Sequence, residues 1–230
     1  EMVDSIRAEA AKSHYTMETL NKCIKYIDFN ILEKTTPAVL ELIKSSVILG
    51  TKVAAAQFVC LISVHLSADM TTLAGKYISA CLVALNDRNA VVRKYYASAI
   101  GHLIGTAKES TVTSLFKKLN TLYFEDQGGK SRSIVLTLTA INKKHADIIR
   151  DNASSILPLI FFAKHEEVNE DNKSSVELWL DLWNDVSFGD SMLQLYLDDI
   201  IIVLDSTLNS QSWLLKAQSG SSIASIAKRL

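Results

Sequence analysis

Leu85-Asn86-Asp87-Arg88-Asn89-Ala90-Val91-Val92-Arg93-Lys94 reads as a helix end, a polar turn and a new helix start. Asp or Asn just ahead of an apolar-periodic stretch accepts hydrogen bonds from the unpaired N–H groups of the helix that follows. Asp87 stands six residues before Arg93, and this spacing recurs in both directions. Basic residues fall at Lys52, Arg93, Arg132, Lys173 and Lys216, separated by 41, 39, 41 and 43 positions. Six residues ahead of them are Ser46, Asp87, Asp126, Glu167 and Ser210. A period of about forty residues built from two helices belongs to arrays of the HEAT or armadillo kind. The expected fold is all-α, an α-solenoid of HEAT-type antiparallel helix pairs in about five to six repeats. Residues 1–230 are expected to form a single solenoid segment, and a chain beginning with Glu1 in place of Met suits a fragment of a much larger protein.

Helices are expected over residues 2–12, 15–28, 30–45, 49–66, 70–86, 90–106, 109–124, 131–143, 146–164, 174–186, 190–208 and 212–228. The breaks between them are short and polar, so neighbouring helices should pack antiparallel. With the repeats aligned on the basic residue, three positions later come Ala55, Tyr96, Val135, Val176 and Ser219; seven positions later come Val59, Ile100, Thr139, Leu180 and Ile223. That spacing places both on one helical face. Ala56, Ala97 and Gly220 follow the basic residue by four, where a small residue admits a close neighbour; Leu136 and Glu177 depart from this. Pro37 and Pro158 each lie nine residues before the turn position. Either both bend the first helix of a repeat by removing a backbone hydrogen bond, or they are unrelated helix-start prolines, Pro37 behind Thr35-Thr36.

The turn acid and its base suggest a structural ladder of Lys52, Asp87, Arg93, Asp126, Arg132, Glu167, Lys173 and Lys216. In it the acid caps the second helix and the base bridges to its own or the next repeat. A basic groove for phosphate or acidic peptides is the functional alternative. The acidic stretch Glu166, Glu167, Glu170, Asp171 is either a solvated loop or, with Lys130 and Arg132 in the neighbouring turn, a set of partner contacts.

With 24 basic and 25 acidic residues the net charge is −1, which exerts no general pull towards nucleic acid or an anionic membrane. No apolar run reaches the ~18 residues of a membrane span. Cys23, Cys60 and Cys81 form no CxxC pair and sit on apolar stretches, as buried free thiols would. His14, His65, His102, His145 and His165 have no ligand partners at zinc spacing. A HEAT-like di-iron hydroxylase would carry several His-Glu pairs, and here His165-Glu166 stands alone. Gly128-Gly129-Lys130 lacks the remainder of a phosphate loop and reads as a turn. Trp179 and Trp183 share one helical face, as core or as an interface anchor. No catalytic residue, cofactor or metal is expected. A transport-receptor solenoid would bring an acidic balance or ordered Trp–Asn arrays for cargo.

Four blocks resemble, in order, the large HEAT-repeat proteasome adaptor and scaffold family, the Ecm (extracellular mutant) components. They are Ser13 to Asn21, Leu49 to Val53, Leu85 to Lys94 and Gln211 to Gln218, and the tail Ala224 to Lys228 is similar as well. The departures are Gly128 to Ser133 and Glu167 to Ser175. The resemblance implies a non-catalytic scaffold in cytoplasm and nucleus. It implies contacts with the proteasome core and regulatory particles, and no binding to nucleic acid or insertion into membrane.

Overall fold

Each polar break turns the chain from one helix into the next. The computed structural model describes residues 15–125, 130–186 and 190–229. Among them are α1 (Tyr15–Cys23), α2 (Phe29–Ser45), α3 (Leu49–His65), α4 (Ala74–Ala84), α5 (Ala90–Leu103), α6 (Glu109–Glu125), α7 (Ser131–Lys144), α8 (Ala146–Asp151), α9 (Ala153–Ala163), α10 (Lys173–Val186), α11 (Asp190–Leu195), α12 (Leu197–Leu208) and α13 (Trp213–Ala227). Single 3-10 turns occur at Ile24–Tyr26, Met70–Thr72 and Ile104–Thr106, and no strand occurs among the described residues. The helix expected over 2–12, Asp126, and Gly128-Gly129 lie outside them.

The five recurring basic residues all fall in the opening turn of the second helix of a pair: Lys52 in α3, Arg93 in α5, Arg132 in α7, Lys173 in α10 and Lys216 in α13. Pro37 is inside α2, which starts at Phe29 behind the Asp28 cap (Ile31 N–H to Asp28 Oδ1, 2.8 Å). It is therefore an interior proline, not a helix-start one. Pro158 is likewise inside α9. The Thr35 and Thr36 hydroxyls bond back to the Ile31 and Leu32 carbonyls at 2.9 and 2.8 Å, which loosens the helix where proline withholds its N–H.

Two long helices of the sequence reading are interrupted. Asn152 (φ −113°, ψ 24°) separates α8 from α9, and Tyr196 (φ −109°, ψ 20°) separates α11 from α12. Asn152 Nδ2 donates to Ile148 O at 2.9 Å, a side chain competing for a helix carbonyl. At both breaks backbone bonding continues (Asn152 N to Ile148 O, 3.3 Å; Tyr196 N to Met192 O, 3.1 Å), so these are kinks and not turns.

The chain divides into two compact units. In the first, residues 1–112 and 143–145, α2 packs along α4 and α3 along α5. First helices thus stack on first helices and second on second, as in a HEAT array. Helix α3 is buried on most sides through Val53, Ala54, Ala55, Ala56, Phe58, Val59 and Ile62. Thr36 Oγ1 and Tyr77 OH share a buried 3.0 Å hydrogen bond between α2 and α4. The His145 ring lies against Gly105 so closely that a Cβ there would sit 2.2 Å from its Cε1.

In the second unit, residues 113–142 and 146–230, α9 is the centre. It is packed by α10, α12 and α13, and Ile156 to Ala163 are buried without interruption. Trp179 and Trp183 of α10 belong to this core. The aligned position three residues past the base is buried in every repeat: Ala55, Tyr96, Val135, Val176 and Ser219. The position seven past it is buried at Val59 and Ile100, but Leu180 and Ile223 are exposed. Gly220 departs as well, since a Cβ there would meet nothing within 4 Å. Helix α13 turns Leu215, Gln218, Ser219 and Ser222 inward instead. Ile202 of α12 (67% exposed) and Trp213 (76%) and Leu214 at the start of α13 are exposed apolar side chains.

Ile62→Ala, at a fully buried site, should destabilise the first unit by about 2–5 kcal/mol. Val47→Ala, on a side chain 89% exposed, should stay within ~0.5 kcal/mol of the parent. Urea unfolding followed by helical circular dichroism separates the two. These exposed apolar side chains should make the chain self-associate with concentration, and the double variant Ile202→Ser, Trp213→Ser should suppress that in light scattering.

Candidate functional site

The ladder forms differently in each unit. In the first, Lys52 Nζ donates to Asp87 Oδ2, joining one helix pair to the turn of the next. Asp87 Oδ1 accepts from Asn89 N–H at 2.8 Å. Asn89 is the actual cap of α5, accepting from Val91 N–H at 2.8 Å. Asp87 therefore shapes the turn instead of capping the helix itself. Arg93 Nη1 donates to the Asp87 and Arg88 carbonyls at 2.7 and 3.0 Å, closing the turn through its backbone. Burial works against the Asp87 charge. The Lys52 hydrogen bond, the Asn89 N–H and the charges of Lys52 and Arg93 outweigh it and hold the carboxyl below its ordinary range.

In the second unit the base at Arg132 meets a hydroxyl: its Nη1 donates to Ser174 Oγ in α10. Lys173 and Lys216 are exposed and reach no carboxylate among the described residues. Asp126 lies outside them. Glu167 is exposed, and its carbonyl accepts from Asn172 Nδ2 at 2.8 Å. Lys130 is half-buried at the mouth of α7, where its carbonyl accepts from Ser133 and Ile134 N–H at 2.9 and 3.1 Å.

Glu166 is half-buried and turned inward, unlike the exposed acids that follow it. Its Oε1 accepts from Tyr123 OH and from Ser131 Oγ, each at 2.6 Å. Trp179 Nε1 donates to Ser131 Oγ at 2.7 Å. Gln218 Nε2 in α13 donates to Tyr123 OH at 2.9 Å and to Phe162 O at 2.8 Å. One polar cluster thus ties α6, α7, α9, α10 and α13 together inside an apolar core. Rings close around it: Tyr123 makes edge contacts with Phe162 and Trp179. Burial pushes the Glu166 carboxyl up, partly offset by the Ser131 and Tyr123 hydroxyls. Burial, reinforced by the Glu166 charge, pushes the Tyr123 phenol well above its ordinary value.

Next to this cluster, Lys164 is buried with Nζ 4.3 Å from the Phe161 ring centre and 4.1 Å from that of Trp183, a cation–π arrangement. His165 Nδ1 lies 2.8 Å from Phe161 O and 3.2 Å from Ser222 Oγ. Burial, with the Lys164 and Arg229 charges, lowers His165 to about 4. The turn beyond carries Glu167, Glu170 and Asp171, all exposed. It is folded by its own asparagines: Asn169 Oδ1 accepts from Asp171 and Asn172 N–H, and Asn172 Oδ1 from Asn169 N–H.

The sequence reading misses Tyr123 and Ser131 as partners of Glu166, and Gln218 as a partner of Tyr123. Gln218 was detectable only as an amide among the small residues of α13. Cys23 is exposed, against expectation, because α1 turns it outward. Burial raises the Cys60 thiol to about 11 and the fully buried Cys81 higher still, so both are protonated at neutral pH. Among the described residues no group of three or more His, Cys, Asp or Glu could hold a metal ion.

Residues 1–124 match the HEAT-repeat domain of the proteasome adapter and scaffold protein ECM29. The chain is 58% identical over its whole length to the proteasome-associated protein ECM29 homolog of Drosophila melanogaster. It is 39% identical over 99% of its length to the human proteasome adapter and scaffold protein ECM29. It is 26% identical over 96% of its length to proteasome component ECM29 of Saccharomyces cerevisiae. It spans 12% of the length of each of these relatives. No solved structure matches it.

Asp87→Ala should lower stability by about 1–3 kcal/mol, because it strands the half-buried Lys52 ammonium and opens the turn. A depressed carboxyl supports the fold above its unfolded pKa, so this difference should vanish as pH falls through the lower, folded value. Glu166 has the opposite sign. Its raised carboxyl weakens the fold as pH climbs from the unfolded pKa through the folded one. Glu166→Gln, which keeps the acceptor oxygen, should therefore match or exceed the parent at pH 7. Glu166→Lys should lose more than about 2 kcal/mol by burying an unmatched cation. Urea midpoints at pH 4 and pH 7 test both positions.

Proposed function

Since the chain belongs to the ECM29 family of proteasome adapter and scaffold proteins, we propose that it is a non-catalytic scaffold segment. It would help an all-α HEAT-repeat protein hold proteasomes through contacts with both core and regulatory particles. Residues 1–230 act as one segment of a longer array, working in cytoplasm and nucleus. No cofactor, nucleic acid or membrane insertion enters this reading.

The observation that carries it is the contrast around the α9–α10 turn. Glu166 is locked inward by Tyr123 and Ser131, while Glu167, Glu170 and Asp171 face solvent a few residues on. A charged turn with a buried anchor keeps its shape and can be read by a partner at little ordering cost. Exposed charges of this kind tune encounter rate and salt sensitivity more than the fold. In this reading the acidic partner contacts are Glu167, Glu170 and Asp171, with Lys130 and Arg132 in the neighbouring turn and Glu166 assigned to the support beneath them.

The test is charge reversal of Glu167, Glu170 and Asp171 to Lys in the full-length protein. Proteasome capture should weaken by about 10-fold at low salt, with helical content and melting unchanged. Undiminished co-purification at both low and moderate salt would exclude the turn from the interface.

A further inference from the structure

Where the first unit sets a carboxylate opposite its base, the second sets a hydroxyl. Lys52 crosses to Asp87 at the turn of the next pair. Arg132 crosses in the same way from α7 to the start of α10, and finds Ser174 Oγ. Arg132 is exposed and has no carboxylate partner among the described residues. Ser174 is half-exposed, directly behind the exposed turn, whereas its neighbour Ser175 is 3% exposed. The sequence around it, Glu170-Asp171-Asn172-Lys173-Ser174-Ser175-Val176-Glu177, places acids before the hydroxyl and one three residues after it.

We propose that Ser174 is a phosphorylation site whose phosphate is held by Arg132. The co-substrate is ATP, and the enzyme is a serine kinase that selects acidic surroundings. Ser174 Oγ attacks the γ-phosphorus and forms the new P–O bond. The bond to the ADP oxygen breaks, ADP departs, and the hydroxyl proton passes to the kinase base. A phosphoserine carries about −1.5 to −2 charge near neutral pH and three strong acceptor oxygens. A guanidinium already hydrogen-bonded to the parent oxygen can take two of them as a fork. The neutral contact becomes an ion pair between consecutive helix pairs, of the kind that Lys52 and Asp87 make permanently. Lys173 beside it offsets the repulsion from Glu170 and Asp171. The modification therefore tightens the α7–α10 junction on demand, independently of any proteasome contact.

The experiment treats the full chain with an acid-directed serine kinase and ATP, locates phosphate by peptide mass spectrometry, and compares melting before and after. The parent should take phosphate at Ser174 and gain about 2–4 °C in Tm. The gain should shrink at high salt and be absent in Arg132→Gln, whose exposed substitution leaves the unmodified fold intact. Ser174→Ala should leave that peptide unlabelled. A kinase that modifies a free peptide of residues 168–180 but leaves Ser174 of the chain unmodified would overturn the site. A phosphate at Ser174 that leaves Tm unmoved, or moves it equally in Arg132→Gln, would overturn the clamp.

Discussion

A helix that is apolar on nearly every side cannot be satisfied by one neighbour. Helix α3 and the second half of α9 are of this kind, and each forces helices to gather around it. In the first unit the demand is met by stacking, α3 on α5 and α2 on α4. In the second it is met by enclosing α9 with α10, α12 and α13. Full burial contributes about 1.5–3 kcal/mol for each large apolar side chain, so these helices supply much of the driving force. The short polar turns then only decide where the chain reverses.

Leaving a polar group unpaired inside such a core is costly, and around Glu166 pairing does the positioning. The Tyr123 hydroxyl, the Ser131 hydroxyl, the Trp179 indole and the Gln218 amide all converge on or beside Glu166. A buried acceptor left unpaired costs about 1–3 kcal/mol, so α6, α7, α10 and α13 are held to one mutual register. The first unit fixes its register at the rim instead, through Lys52, Asp87 and Arg93. One unit is thus pinned from inside and the other from its edge.

The fold was legible because the forty-residue period is carried by turn chemistry, which is local. Asp, Asn and a following base mark the start of a second helix whatever packs on it, and all five bases landed there. What failed depends on the rotation of a helix about its axis. Leu180 and Ile223 should have been buried by analogy with Val59 and Ile100, but α10 and α13 direct Trp179, Trp183, Gln218 and Ser219 inward. The sequence reads Glu166 as surface because three acidic residues follow it within five positions. Its partners Tyr123 and Ser131 are 43 and 35 residues away, and no linear pattern links them. Asn89 displaced Asp87 as the helix cap for a similar reason, since either residue suits that place and only the backbone path decides.

The placement of the tryptophans gives the molecule a built-in optical label. All three indoles, Trp179, Trp183 and Trp213, belong to the second unit. Two are enclosed and one is 76% exposed. Emission from the enclosed pair arises in a setting shielded from external quenchers, with Trp179 hydrogen-bonded to Ser131 and Trp183 facing the Lys164 ammonium. Trp213 contributes a red-shifted component open to iodide. The first unit carries no indole and is dark in this channel. Selective excitation therefore reports the second unit alone, and the ratio of shielded to quenchable light records whether something has come to rest against Trp213.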